Sequence, residues 1–218
     1  MTVAGLRRLA SRFDRLASPP AMVAILLLLS GACRDMRRSS AVTLPPDSAD
    51  LTVARKAAMA LGGDLLAMLT SELGRGGPAA AIAVCADSAQ ERTRRHQQAG
   101  VMVRRVGTRV RNAANAPDSV ERLVLARFSA TIAEGGAPTD TAFVVGTSAG
   151  GYELRFLRPV RVQELCLGCH GPADQLGPEV RQVIAARYPE DQATGYAVGE
   201  LRGAVSVRLA LSGPEKPN

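Results

Sequence analysis

Ala142-Phe143-Val144-Val145-Gly146-Thr147-Ser148-Ala149-Gly150-Gly151-Tyr152-Glu153-Leu154-Arg155-Phe156-Leu157 decides the fold class of this 218-residue chain. Two short segments, Ala142 to Thr147 and Tyr152 to Leu157, flank Ser148-Ala149-Gly150-Gly151, and that combination is a hairpin signal. Upstream the apolar period is helical. Leu51 to Leu73 carries Leu61, Leu65, Leu69 and Leu73 on one side, with Gly62-Gly63 as a place for a bend or a close backbone approach. A second helix is expected from Pro78, a good first-turn residue, to about Gln98, with Gly100 as its stop. Val101-Met102-Val103 begins a short strand. Asp118 with Glu121 makes a capping-box start for a helix carrying Val120, Leu123, Val124, Phe128 and Ile132. Downstream come a short helix, Pro178 to Ala186, and a last strand, Ala204 to Ala210. Helices first and antiparallel strands after give an α+β class: an antiparallel sheet with flanking N-terminal helices.

Between the hairpin and the last strand lies Cys166-Leu167-Gly168-Cys169-His170, in a chain with four cysteines and two histidines. Two thiols separated by two residues can add across the two vinyl groups of one porphyrin, and the adjacent histidine then sits under the iron. The stretch reads as a covalent haem c site, with Cys166 and Cys169 attached and His170 as axial ligand. A redox dithiol or half a zinc site are the alternatives. A Gly-Pro directly after the histidine argues against the first, and the lack of a second Cys/His cluster against the second.

Haem c is attached outside the cytoplasm, so an export signal is expected. Arg7, Arg8, Arg12 and Arg15 precede an apolar run from Ala21 to Leu29, too short for a spanning helix of about 20 residues. Ser30-Gly31-Ala32-Cys33 resembles a lipoprotein signal in which Cys33 takes the lipid; ordinary cleavage near Ala32 and an uncleaved anchor are the alternatives. The expected organisation is a lipoprotein-type signal over residues 1–32, a flexible tether over 33–50, one domain over 51–212 and a tail over 213–218. The location is periplasmic or cell-envelope, anchored to the membrane through Cys33. The formal charge of +7 does not imply nucleic acid, because residues 1–40 hold seven Arg against two Asp, leaving 20 basic and 18 acidic groups beyond. No basic stripe interleaved with aromatics follows.

The second axial position is open on residue patterns alone. Cys85, His96, Met59, Met68, Met102, water or nothing are the candidates. His96 lies in a polar helix end, where a solvated role is expected, and the methionines sit among core-like residues. Cys85 lies in Ala81-Ile82-Ala83-Val84-Cys85 and shares a face with Ile82 and Ala89, small neighbours that leave room for a flat macrocycle; a buried inert thiol is the alternative. Arg104, Arg105, Arg109 and Arg111 cluster ahead of an Asn-Ala-Pro-Asp turn. Arg104, Arg105 and Arg111 are candidate contacts to haem propionates, against a solvated charged face. Tyr188 to Gly203 is rich in turn-forming residues and receives no site role.

Five stretches resemble a family of PAS-like c-type haem domains of exported bacterial haem proteins and sensor ectodomains: Ala81 to Cys85; Val103 to Val106 leading to Arg111-Asn112-Ala113-Ala114-Asn115-Ala116-Pro117-Asp118; Arg155 to Val160; Cys166 to Gly171; and Tyr188 to Tyr196 with Gly199 to Val207. They occur in order over roughly residues 50–210. The resemblance implies a PAS-like sheet and makes Cys85 the second axial ligand, opposite His170. Ala113 departs from the family's usual proline but touches no ligand.

With thiolate and imidazole on the iron, no coordination position stays open. The expected role is a low-potential electron carrier or a redox or gas sensor, working with a redox or signalling protein and without an enzymatic reaction. No output domain is expected after the last strand, so a sensor would act through that partner. A homodimer stays open. The alternative in another class is a non-haem exported thiol or interaction module.

Overall fold

The computed structural model describes residues 46–212. The expected signal, Cys33, most of the tether and the tail over 213–218 lie outside the described residues. The tether does not extend to residue 50: α1 (Ser48–Arg95) begins at Ser48, because the Asp47 carboxylate accepts a hydrogen bond from the Ala49 N–H at 3.1 Å and caps the first turn.

Two helical arms make up α1. They meet at Gly77, whose φ of 70° and ψ of −170° no L-residue adopts easily, and Pro78 opens the second arm without needing an N–H donor. On a straight helix Asp64 and His96 would be roughly 48 Å apart at 1.5 Å per residue. Their side chains instead meet at 3.0 Å, and Arg92 also pairs with Asp64, so the second arm folds back along the first. Neither alternative read at Gly62-Gly63, a bend or a close backbone approach, is present: among the described residues no atom of another segment comes within 4 Å of a Cβ at either position. Helical geometry passes through both glycines, since a glycine inside a helix lowers its propensity without breaking its hydrogen bonds.

The four strands β1 (Val101–Val106), β2 (Thr141–Gly146), β3 (Tyr152–Arg161) and β4 (Leu201–Leu211) form one antiparallel sheet in the order β1-β4-β3-β2. The expected hairpin is β2–β3, closed by a Thr147 N–H donating to Gly151 O at 2.8 Å, with Gly150 at a positive φ of 82°. Alternation gives the sheet two apolar faces. Val103, Leu154, Phe156 and Val207 pack under Ala54, Leu61, Leu65 and Ala89 of α1. Val106, Leu157 and Ala204 pack against Val124, Leu125 and Phe128 of α2 (Ser119–Ala133) on the other face. The class is α+β, as the residue patterns indicate.

A buried polar network fixes α2 to the sheet. The capping box is complete: the Glu121 N–H donates to Asp118 Oδ1 at 2.7 Å and the Asp118 N–H to Glu121 Oε2 at 2.8 Å. Glu121 is fully buried and also accepts from Ser206 Oγ at 2.8 Å, while Asp118 Oδ2 accepts from Arg155 and Arg208, each at 2.6 Å.

Burial alone would raise the Asp118 pKa; the Glu121 N–H and the Arg155 guanidinium outweigh it and hold the carboxyl below its ordinary value. A folded pKa below the unfolded one stabilises the fold at pH above the unfolded value of about 3.9, and this is lost as pH falls through the folded pKa. The urea midpoint is therefore expected to drop between about pH 5 and about pH 3. Asp118→Asn should be less stable at pH 7 by about 1–3 kcal/mol and show a shallower acid-side drop. An equally steep drop in the variant would remove Asp118 from this account.

Candidate functional site

Cys166, Cys169 and His170 lie on α3 (Glu164–His170), at spacings of three and four residues that put them on one helix face. Two features fix this short helix. At its end the Gly171 N–H donates to Leu167 O at 2.9 Å, and a Cβ on Gly171 would stand 2.7 Å from that oxygen, so the chain turns away here only with glycine. Along its side, α3 rests on the turn between the arms of α1: Cys169 Sγ lies 4.0 Å from Pro78 O, and a Cβ on Gly168 would touch the Pro78 ring at 3.5 Å.

A strap at residues 193–196 holds the histidine. The Gly195 N–H donates to Gly171 O at 2.8 Å and the Tyr196 N–H to His170 O at 2.9 Å. His170 Nδ1 lies 2.6 Å from Ala193 O, and a carbonyl oxygen can only accept, so Nδ1 carries the proton and Nε2 keeps its lone pair. The Tyr196 ring meets the imidazole edge-on at 6.1 Å, and the Arg109 guanidinium lies 3.5 Å from the centre of the Tyr196 ring. Burial, then the nearby Arg202 and Arg111 charges, push the His170 pKa down to about 3, so the ring is neutral at neutral pH.

A neutral histidine and three cysteines, His170, Cys85, Cys166 and Cys169, line one cavity of about 320 Å³. Leu65, Leu66, Leu69 and Leu73 of the first arm form an apolar wall. Arg105, Arg111 and Arg202 line it too, and among the described residues no acidic side chain does. The Cys85 thiol is raised in pKa by burial and lowered in part by the Arg105 charge. Burial likewise raises Cys169. Among the described residues no three His, Cys, Asp or Glu side chains gather to hold an ion by themselves. A metal held here must bring further ligands with it. A larger cleft of about 550 Å³ adjoins across Arg111 and Tyr188, but among the described residues no thiol or histidine lines it, so the chemistry belongs to the smaller cavity.

Residues 25–210 match the model of the Tll0287-like family, described as Tll0287. The chain belongs to the Tll0287-like family. This bears out the recognition drawn from the five sequence stretches. Among solved structures, the crystal structure of the cyanobacterial heme-protein Tll0287 superposes with a TM-score of 0.57 at 24% identity, covering 78% of this chain and 100% of that one. At that identity the likeness speaks for the fold. No curated protein matches the sequence.

In this Tll0287-like domain the structure brings together most, but not all, of the residues that the sequence singled out. Cys85, Cys166, Cys169, His170, Arg105 and Arg111 line the cavity. Arg104 does not. Strand alternation turns it to the α2 face of β1, where it donates to Glu121 at 3.2 Å and to Ala116 O. Arg111 is at the cavity but engaged: its Nε donates to Asp191 Oδ1 at 3.0 Å and its Nη2 to Cys169 O at 2.7 Å, bracing α3. His96 is held by Asp64, away from the cavity. Met59 and Met102 are exposed, whereas Met68 reaches the cavity wall.

Sequence reasoning missed Arg202, Tyr188 and the 193–196 strap, all inside the stretch read as turns. Gly203 carried a signal that could have been used. With φ at 153°, its Cβ position lies 2.0 Å from Val106 O, so β4 presses backbone to backbone on the end of β1 beside the cavity. Gly203→Ala is expected to cost more than about 2 kcal/mol in urea unfolding. Gly135→Ala, also at positive φ but in open space, should cost about 1 kcal/mol. Equal costs would refute the close approach as the reason for Gly203.

Proposed function

We propose that this protein is an exported c-type haem protein, with Cys166 and Cys169 covalently attached, His170 and Cys85 as axial ligands, and a role as a low-potential electron carrier or redox sensor. One observation carries the reading: a CxxCH face and a thiol from a segment some eighty residues away line the same apolar cavity. The donor set fits. Thiols and a neutral imidazole suit iron, and a macrocycle supplies the ligands that the described protein residues lack.

Bound haem would supply a one-electron ferric–ferrous couple. The residues of the chain have separate tasks. The Cys166 and Cys169 S–H groups would each add across one vinyl double bond, with no net change of oxidation state. Ala193 O holds the Nδ1 proton in place, so the His170 Nε2 lone pair would be available to hold a metal. Burial raises the Cys85 pKa and favours the neutral thiol, while the Arg105 charge favours the thiolate, the form in which Cys85 would hold iron. A thiolate ligand would supply electron density that favours ferric iron and a low reduction potential. A thiol that could regain its proton would make the ligand redox-dependent, the basis of a sensing role. Attachment outside the cytoplasm, a lipid anchor on Cys33 and output through a redox or signalling protein complete the proposal.

Ferric wild type made with haem-attachment machinery should show a Soret band and a low-spin paramagnetic resonance signal. Cys85→Ala should turn high-spin or change its g-values. An unchanged low-spin signal would move the second ligand elsewhere, Met68 being the other soft donor in the wall. A colourless wild type would overturn the haem reading and favour a thiol module.

A further inference from the structure

Five arginines gather around the cavity end of the sheet, and the structure separates them by what they already hold. Arg104 is engaged with Glu121 at 3.2 Å, Arg109 with Glu200 at 3.6 Å and Arg111 with Asp191 at 3.0 Å. Arg105 and Arg202 have no carboxylate partner among the described residues. Arg105 Nε is buried without any hydrogen-bond partner, and the Arg202 guanidinium donates to Arg109 O at 3.1 Å and lies 5.5 Å from the centre of the Tyr196 ring. Both line the 320 Å³ cavity, where the described lining residues include no acid and are otherwise largely aliphatic.

Two half-buried cations lining one space without counter-charge are unfavourable unless an anion enters, because their partial desolvation is otherwise uncompensated. The leucine wall requires that anion to have an extended apolar body, which excludes a simple inorganic ion as the resident ligand. A guanidinium fork matches a carboxylate. The geometry points to Arg105 and Arg202 as a paired clamp for the two carboxylates of one amphiphilic dianion, with Arg202 the member that no sequence feature assigned. On the function proposed above, on which this inference rests, those carboxylates are the haem propionates. Arg105 and Arg202 are then positioning residues that orient the macrocycle and add positive charge beside it, favouring the reduced state. They oppose the pull of the thiolate.

The test uses the holoprotein and four variants: Arg105→Gln, Arg202→Gln, Arg202→Lys and Arg94→Gln. Arg94 pairs with Glu91 on an exposed helix end and controls for lost charge. Midpoint potential and the propionate bending band in resonance Raman are read on each. Both cavity glutamine variants should lower the potential and shift the band, Arg202→Lys should keep the potential near wild type while shifting the band, and Arg94→Gln should change neither. If Arg105→Gln and Arg202→Gln match Arg94→Gln with the Soret band intact, the clamp is wrong while the haem reading stands. Should Arg202→Gln lose haem, Arg202→Lys decides: haem retained at near-wild-type potential supports the clamp, and haem lost there too makes Arg202 a packing residue and overturns it. A wild type without haem overturns the proposed function before any variant is compared.

Discussion

The structure depends first on the reversal at Gly77-Pro78. A positive φ at Gly77 lets the helical chain turn back, and Pro78 starts the second arm at the one helical position that tolerates a missing N–H. Without that reversal Cys85 would lie far along a rod from the leucine wall. With it, Cys85 packs against the core shared by Leu61, Leu65 and the sheet. The same turn supplies the platform for α3, since Gly168 and Cys169 rest on Pro78. One backbone feature therefore sets both the wall that carries Cys85 and the seat of the CxxCH helix.

Around this pivot, the cavity is held by backbone contacts more than by side chains. The strap at Ala193 to Tyr196 ties down the end of α3, and Gly203 brings β4 against the last residue of β1. Such contacts leave little slack. The His170 ring is oriented before any ligand arrives, with its tautomer fixed by Ala193 O. On the far face of the sheet the Asp118–Glu121 network fixes α2, so the sheet is clamped from both sides and the cavity end has a rigid floor.

The fold was legible where local chemistry decides it. Proline and glycine punctuated α1 and its second arm, the capping box started α2, and the Gly-Gly turn closed β2–β3. Strand ends were less legible: Val101-Met102-Val103 marks where β1 begins, and only the pairing with β4 shows that it runs on to Val106. That end point matters. Once β1 reaches Val106, alternation alone sends Arg104 and Arg105 to opposite faces, and only Arg105 reaches the cavity. The site was legible in the CxxCH spacing and in the small-residue face around Cys85. Arg202 was not, because its role depends on which arginines other carboxylates already hold, and those partners lie 17 to 91 residues away, too far to leave a local pattern.

The central claim is that Cys166 and Cys169 of α3 would carry a covalently attached haem, while Cys85, which lines the same cavity, would form no thioether. The most direct measurement is the intact mass of fully denatured protein purified from cells with active haem-attachment machinery, a known c-type cytochrome serving as the positive control. The account predicts a polypeptide heavier by one haem, with the increment lost in Cys166→Ser/Cys169→Ser and kept in Cys85→Ala. Unmodified polypeptide with Cys166 and Cys169 both reactive as thiols, while the control carries haem, would contradict it.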